Sequence, residues 1–182
     1  MSTAVCSTSL GKVEIILRII SIVLCVGTVA AAATALLAIL SIEDLEANGN
    51  YEDGGLHKSG AIWFIFAAGL GLIFESIITI LRLLEVNINV FGKVDLVLRS
   101  LLIVSLLAGG AANAYYAADN DDTYDRLKPC PDHNPHTDLE ELCVDVKWLR
   151  DSEIAIAALS TSVIVAFGAL AIITISTITR KN

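Results

Sequence analysis

IAIAALSTSVIVAFGALAIITISTIT, Ile154 to Thr179, contains no charged side chain, no Pro and one Gly. A run of about 20 apolar residues, at 1.5 Å rise per residue, crosses a hydrocarbon core of roughly 30 Å, so this stretch is long enough to span a bilayer. Its apolar residues follow one another without the alternation a barrel strand needs. In lipid the remaining backbone that satisfies its own hydrogen bonds is a helix. Three similar stretches precede it. Ile19 to Ile42 and Ser100 to Ala118 are uncharged, and Ser59 to Leu84 is interrupted only by Glu75 and Arg82. The expected fold is all-α: a four-helix transmembrane bundle with spans at about 13–40, 60–84, 94–118 and 154–179.

The rest of the composition fits that reading. The chain has 182 residues, 55% of them hydrophobic, and a mean hydropathy of +0.70. Four spans, a tail at 1–12, outer loops at 41–59 and 119–153 and a tail at 180–182 leave no room for a separate soluble domain. The net charge of -8 is unevenly spread. Lys12, Arg18, Arg82, Lys93, Arg99, Arg180 and Lys181 lie in or beside the N-terminus, the second connection and the C-terminus, with only Glu14, Glu75, Glu85 and Asp95 among them. The other acids fall in the first and third connections. Basic residues near span ends are retained in the cytoplasm, which predicts both termini inside and both acidic loops outside. No basic patch exists to neutralise phosphates, so no nucleic-acid partner is expected.

The first apolar run exceeds the 7–15 residues of a signal-peptide core, so it is expected to be kept as a span despite the small-residue cluster Ala30 to Ala33. The start Met-Ser-Thr lacks the Gly that myristoylation needs, and Arg180-Lys181-Asn182 is no prenylation signal.

Charges inside a span are the first candidates for function, since each costs about 2.5–3.5 kcal/mol or more at the centre. Arg18 in span one, Glu75 in span two, and Asp95 and Arg99 in span three fall at a similar depth near the inner leaflet. They are expected to form an interhelical ion-pair layer, with Arg18–Asp95 and Glu75–Arg99 or Glu75–Arg82 as candidate pairs. Such a layer either fixes helix register or marks a conduction path. Register is favoured, because no charge continues the path into the outer half.

Small residues mark expected helix contacts: Gly27, Ala31 and Ala35 at four-residue spacing in span one, and Gly109 and Gly110 in span three. Surfaces of this kind left over on the outside would permit lateral self-association. In the second outer loop, Asp138 to Leu149 has apolar residues at Leu139, Leu142, Val146 and Leu149, the spacing of a short amphipathic helix lying along the outer face with Trp148 at the interface. Cys130 and Cys143 share that loop, where oxidation favours a disulfide. The alternative is a zinc site of Cys130, His133, His136 and Cys143, for which reduced thiols outside the cell would be unusual. Cys6, in the N-terminal tail, is a candidate for acylation. No Cys-x-x-Cys, nucleophile–base pair or Gly-rich phosphate loop occurs, so neither enzymatic activity nor a cofactor is expected.

FGKVDLVLRSLLIVSLLAGGAANAYYAADND, from Phe91, and LRIISIVLCVGTVAAAATALLA, from Leu17, together resemble the Casparian-strip membrane-domain-like (CASP-like) family of plants, relatives of the MARVEL-domain proteins. Arg18 and Asp95 match that family's span-one Arg and span-three Asp. The resemblance implies a plasma-membrane scaffold that pairs with itself and with relatives, and that organises cell-wall-modifying proteins outside. The first outer loop, SIEDLEANGNYEDGGLHKSG, lacks the Phe-containing signature of the true Casparian-strip proteins, which points to a CASP-like relative. The expected partners are therefore membrane lipid, further copies of the chain, related proteins and wall-associated proteins. Two readings compete. One is a small channel or transporter subunit using Glu75 and Asp95 for cations. The other is a claudin-like adhesive protein, which would place its cysteine pair in the first outer loop.

Overall fold

A computed structural model describes residues 9–47, 58–84, 92–127 and 138–179. Among these residues there are four helices: α1 Ser9–Ala47, α2 Lys58–Leu83, α3 Gly92–Leu127 and α4 Asp138–Thr179. Each contains a segment long and apolar enough to cross a membrane: Gly11–Ile42, Gly60–Leu83, Lys93–Tyr115 and Cys143–Thr179. The chain is a multi-pass membrane protein with a four-helix bundle.

The helices follow one another around the bundle. α4 packs most extensively against α1 and α3, α1 also packs on α2, and α2 and α3 share a thinner contact. Ion pairs join the N-terminal part of α1 to the C-terminal part of α2 and to the start of α3, and a hydrogen bond joins the start of α3 to the end of α4. α1 and α3 therefore run parallel to each other and antiparallel to α2 and α4.

The interior is built from small and aromatic side chains. Ala32, Ala35, Phe64, Ala67, Leu106, Val163 and Phe167 belong to one buried cluster. Val23, Leu37, Phe66, Ile73, Val104 and Val165 face outward, as a lipid-facing surface requires. Glycine permits the closest approaches. A Cβ on Gly109 would sit 2.7 Å from Phe64 Cε2, and one on Gly110 would sit 3.0 Å from Ser160 Oγ. On α1, Gly27 faces Leu159 of α4, Ala35 is buried and Ala31 packs against the core. The small residues singled out in the sequence thus lie in contacts within the chain.

Three of the helices run further than the sequence pattern suggested. Residues 41–47, 119–127 and 138–153, expected as loop or as a separate surface helix, continue α1, α3 and α4. No Gly or Pro interrupts these segments: Gly49 follows α1, Pro129 follows α3, and α4 has none before Gly168. The surface helix expected over Asp138 to Leu149 is instead the first part of α4. Val146 and Leu149 of this segment turn into the bundle and join the cluster containing Ile39, Ile42 and Ile156. Trp148 remains exposed on the other side. Ser41 Oγ donates a 2.6 Å hydrogen bond to Asp145 Oδ2, tying the extended ends of α1 and α4 together. Measured from Glu75, α2 reaches about 26 Å toward this end, against about 42–54 Å for α1, α3 and α4 from their own charged or polar residues Arg18, Arg99 and Thr174. Among the described residues, α2 therefore stops short of the other three helices at that end.

Candidate functional site

The polar centre lies at the other end and draws on all four helices. Arg18 is fully buried. Its Nη1 donates to Glu75 Oε2 at 3.0 Å, and its Nε and Nη2 donate to Glu14 Oε1 at 3.1 and 2.9 Å. Asp95 Oδ2 lies 3.8 Å from Arg18 Nη2. Arg99, also fully buried, donates from Nε to Asp95 Oδ1 at 3.0 Å and forms an ion pair from Nη1 with Glu75 Oε1. Its guanidinium carbon lies 5.7 Å from the centroid of Phe74 and 5.5 Å from that of Phe167, so aromatic faces cover the charge above and beside it. Arg82, in the last turn of α2 and partly exposed, pairs with Glu14 Oε1 at 3.2 Å. α4 contributes Thr174, whose hydroxyl is shared between Asp95 Oδ2 at 3.1 Å and the Leu170 carbonyl at 3.0 Å.

Helical spacing builds half of this. Glu14 and Arg18, like Asp95 and Arg99, are four residues apart and meet on one face of their own helix. Glu75 then joins the two pairs, one carboxylate oxygen to each arginine. Three carboxylates and three guanidinium groups cancel within the layer. That balance is what allows it to sit out of water, since a buried charge without a partner costs several kcal/mol.

All four residues singled out from the sequence, Arg18, Glu75, Asp95 and Arg99, meet in this layer: the expected Glu75–Arg99 pair forms, and the expected Arg18–Asp95 pair forms at 3.8 Å. Arg18–Asp95 is the longest contact in the layer, and the short partners of Arg18 are Glu75 and Glu14. Arg82 pairs with Glu14 and not with Glu75. Two members escaped the sequence reading. Glu14 had a usable signal, its four-residue spacing from Arg18. Thr174 had none, because a helical threonine ordinarily bonds its own backbone.

Each carboxylate is held by at least one guanidinium, and among the described residues no cluster of three or more His, Cys, Asp or Glu side chains has metal-binding form. Cys25 is a free, buried thiol beside Gly71. Cys143 is buried and is not a free thiol. Cys6, Cys130, His57, His133 and His136 lie outside the described residues, as do the expected Cys130–Cys143 bond and the alternative zinc set.

These features define a class: a four-helix multi-pass membrane protein whose helices are joined by a buried, charge-balanced layer. Comparison of the chain with protein-family models, with curated proteins and with solved structures gives no match.

Proposed function

We propose that this protein is a plasma-membrane scaffold of MARVEL-like plan, related to the CASP-like proteins, that self-associates and holds partner proteins in place. Both termini face the cytoplasm, because the basic residues gather beside the ion-layer end and the acidic connections at the other. The Cys130–Cys143 disulfide shapes the second outer loop, in keeping with a buried Cys143 that is not a free thiol. Lateral association uses small residues that the bundle leaves outside. Ala108, Ala111 and Ala112 of α3 are exposed, and a side chain at Gly69 or Gly168 would meet nothing within 4 Å. Partners are other copies, relatives and wall-associated proteins, and no catalytic step is involved.

The observation that carries this reading is the engagement of Glu75 and Asp95. A cation pathway would need both carboxylates, and each is held by guanidinium groups inside a neutral layer. Purified protein in liposomes tests it. The expected result is no cation or proton flux above protein-free liposomes, together with slow lateral diffusion of a fluorescent fusion in cells. Flux that Glu75→Gln abolishes would overturn the scaffold reading in favour of a channel.

A further inference from the structure

We propose that the lipid-facing belt of this protein is a wedge, taller along α1 and α4 than along α2 and α3. The α1–α4 face then takes lipids with longer acyl chains than the opposite face does.

The belt has a level floor. Arg18, Glu75 and Arg99 meet in the ionic layer and mark one depth on α1, α2 and α3, and Thr174 marks it on α4 through Asp95. Lys12, Arg82 and Lys93 lie six or seven residues from Arg18, Glu75 and Arg99, all on the same side of the layer, which is about 9–10 Å at 1.5 Å per residue. Basic side chains gather where hydrocarbon gives way to headgroups, so these three set one edge of the belt.

Its ceiling is uneven. A hydrocarbon core of about 30 Å that begins at that edge ends about 20 Å beyond the layer. On α2 and α3 the exposed rings of Trp63 and Tyr115 stand near that height, about 18 and 24 Å from Glu75 and Arg99, as amphipathic aromatics at an interface do. Lys58 and Asp119 are the next charged positions on those helices. On α1 and α4 the apolar surface continues higher. Leu37 and Leu40 are exposed about 29 and 33 Å from Arg18, and Ile154 is exposed about 30 Å from Thr174. Charge returns on α1 only at Glu43, and on α4 the first exposed charge is Asp151, because Glu153 is buried. α1 and α4 pack against each other, so the two tall surfaces form one face.

Tilt does not remove the difference. The layer joins the four helices at one end, and the Ser41–Asp145 hydrogen bond joins α1 to α4 at the other, so the helices tilt together. Lys12 to Glu43 measures about 46 Å along α1, and fitting it into about 30 Å by tilt alone needs about 50°, outside the range of about 0–40° found for membrane helices. The same tilt would shorten the stretch from Lys58 to Arg82 on α2 from about 36 Å to about 23 Å and draw its charges into hydrocarbon. Local thickening of the bilayer carries a small penalty per ångström of mismatch, whereas leaving Leu37, Leu40 and Ile154 in water forfeits their burial. Lipid therefore rises along the α1–α4 face.

The test uses the full-length chain with Cys6→Ser, into which Leu37→Cys, Ile154→Cys or Lys147→Cys is introduced singly. All three positions are exposed, so the substitutions leave the packing intact. Nanodiscs of phosphatidylcholine with myristoleoyl, oleoyl or erucoyl chains, in order of increasing length, are treated with a membrane-impermeant thiol reagent. In the erucoyl lipid, Leu37→Cys and Ile154→Cys are expected to react at least about tenfold more slowly than Lys147→Cys, since a thiol in apolar surroundings is poorly ionised. Their reaction should quicken as the chains shorten, while that of Lys147→Cys stays constant. Reaction as fast as that of Lys147→Cys in all three lipids would put both side chains in water and overturn the proposal. Equal protection in all three lipids would assign the cover to protein, from this chain or a second copy, and overturn it as well.

Discussion

Glu75→Gln removes one charge from the centre of the bundle and nearly no volume. Glu75 joins Arg18, at 3.0 Å from Nη1, to Arg99, so the change leaves the layer with three guanidinium groups and two carboxylates. Removing one partner of a buried pair costs about 3–5 kcal/mol. The lower part of that range applies here. Arg18 keeps both hydrogen bonds to Glu14, Arg99 keeps its bond to Asp95, and the Gln carbonyl can still accept from one of them. A loss of about 3 kcal/mol corresponds to about 6–12 °C in melting temperature for a domain of this size. The buried free thiol of Cys25 supplies the assay, as a thiol-reactive dye reaches it only when the bundle opens. A Cys6→Ser background avoids labelling in the tail. The companion variant Glu75→Gln with Arg99→Gln restores neutrality and should recover part of the loss, which is the signature of a coupled pair. Two results refute the argument: a single variant that melts with the wild type, or a double variant that melts below the single.

Three other perturbations follow from the geometry. Gly109→Ala places a methyl 2.7 Å from the buried Phe64 ring and should destabilise by about 1–3 kcal/mol, whereas Gly168→Ala meets nothing within 4 Å and should be neutral or stabilising by up to about 1 kcal/mol. Thermal melts of the two in the same detergent check the contrast, and equal effects would contradict the placement of α3 against α2. Thr174→Val removes an α4 hydroxyl bonded to the layer, at 3.1 Å from Asp95, and should cost about 1 kcal/mol, with Thr174→Ser restoring it. If a disulfide joins Cys130 to Cys143, alkylation before and after reduction should differ by two thiols in the wild type and by none in Cys130→Ser, as read by intact mass.

The spans were legible because hydropathy over some 20 residues reports directly on burial in lipid, whatever the packing. The depth of the charges was legible too, since a helix advances by a fixed rise per residue. Partner choice was legible only in part: Glu75–Arg99 and the longer Arg18–Asp95 contact form as expected, whereas the short Arg18–Glu75 and Arg18–Glu14 contacts were not foreseen. Arg18, Glu75, Asp95 and Arg99 lie at one level, and at one level every opposite-sign pairing looks alike until the order of helices around the bundle is known. Asp138 to Leu149 shows the same limit in another form. Its periodicity correctly marked Val146 and Leu149 as one buried face, but a period does not say what covers that face. The inner surfaces of α1 and α4 cover it, not the membrane plane. The better clue to the long helices was negative. Gly and Pro are missing from 41–47, 119–127 and 138–153, so nothing in these segments stops a helix that has already started.

The layer also explains why this bundle has one arrangement of helices. Apolar surfaces facing lipid discriminate weakly among helix orders, because lipid tails are as apolar as Leu and little is gained by choosing one neighbour over another. Charges discriminate strongly. Glu75 is shared by Arg18 and Arg99, so α2 must lie within reach of both α1 and α3. Asp95 must also reach Thr174, which fixes α4 on the other flank of α3. Moving α2 out of reach of either neighbour separates Glu75 from one guanidinium and leaves that arginine with only the carboxylate of its own helix. Sliding α2 by one residue moves Glu75 by about 1.5 Å along the axis and by a large angle around it, with the same result. The layer therefore acts through what it forbids. A bundle specified in this way can present its remaining small-residue surfaces to neighbours without its own helices rearranging to meet them, which is a property a membrane scaffold requires.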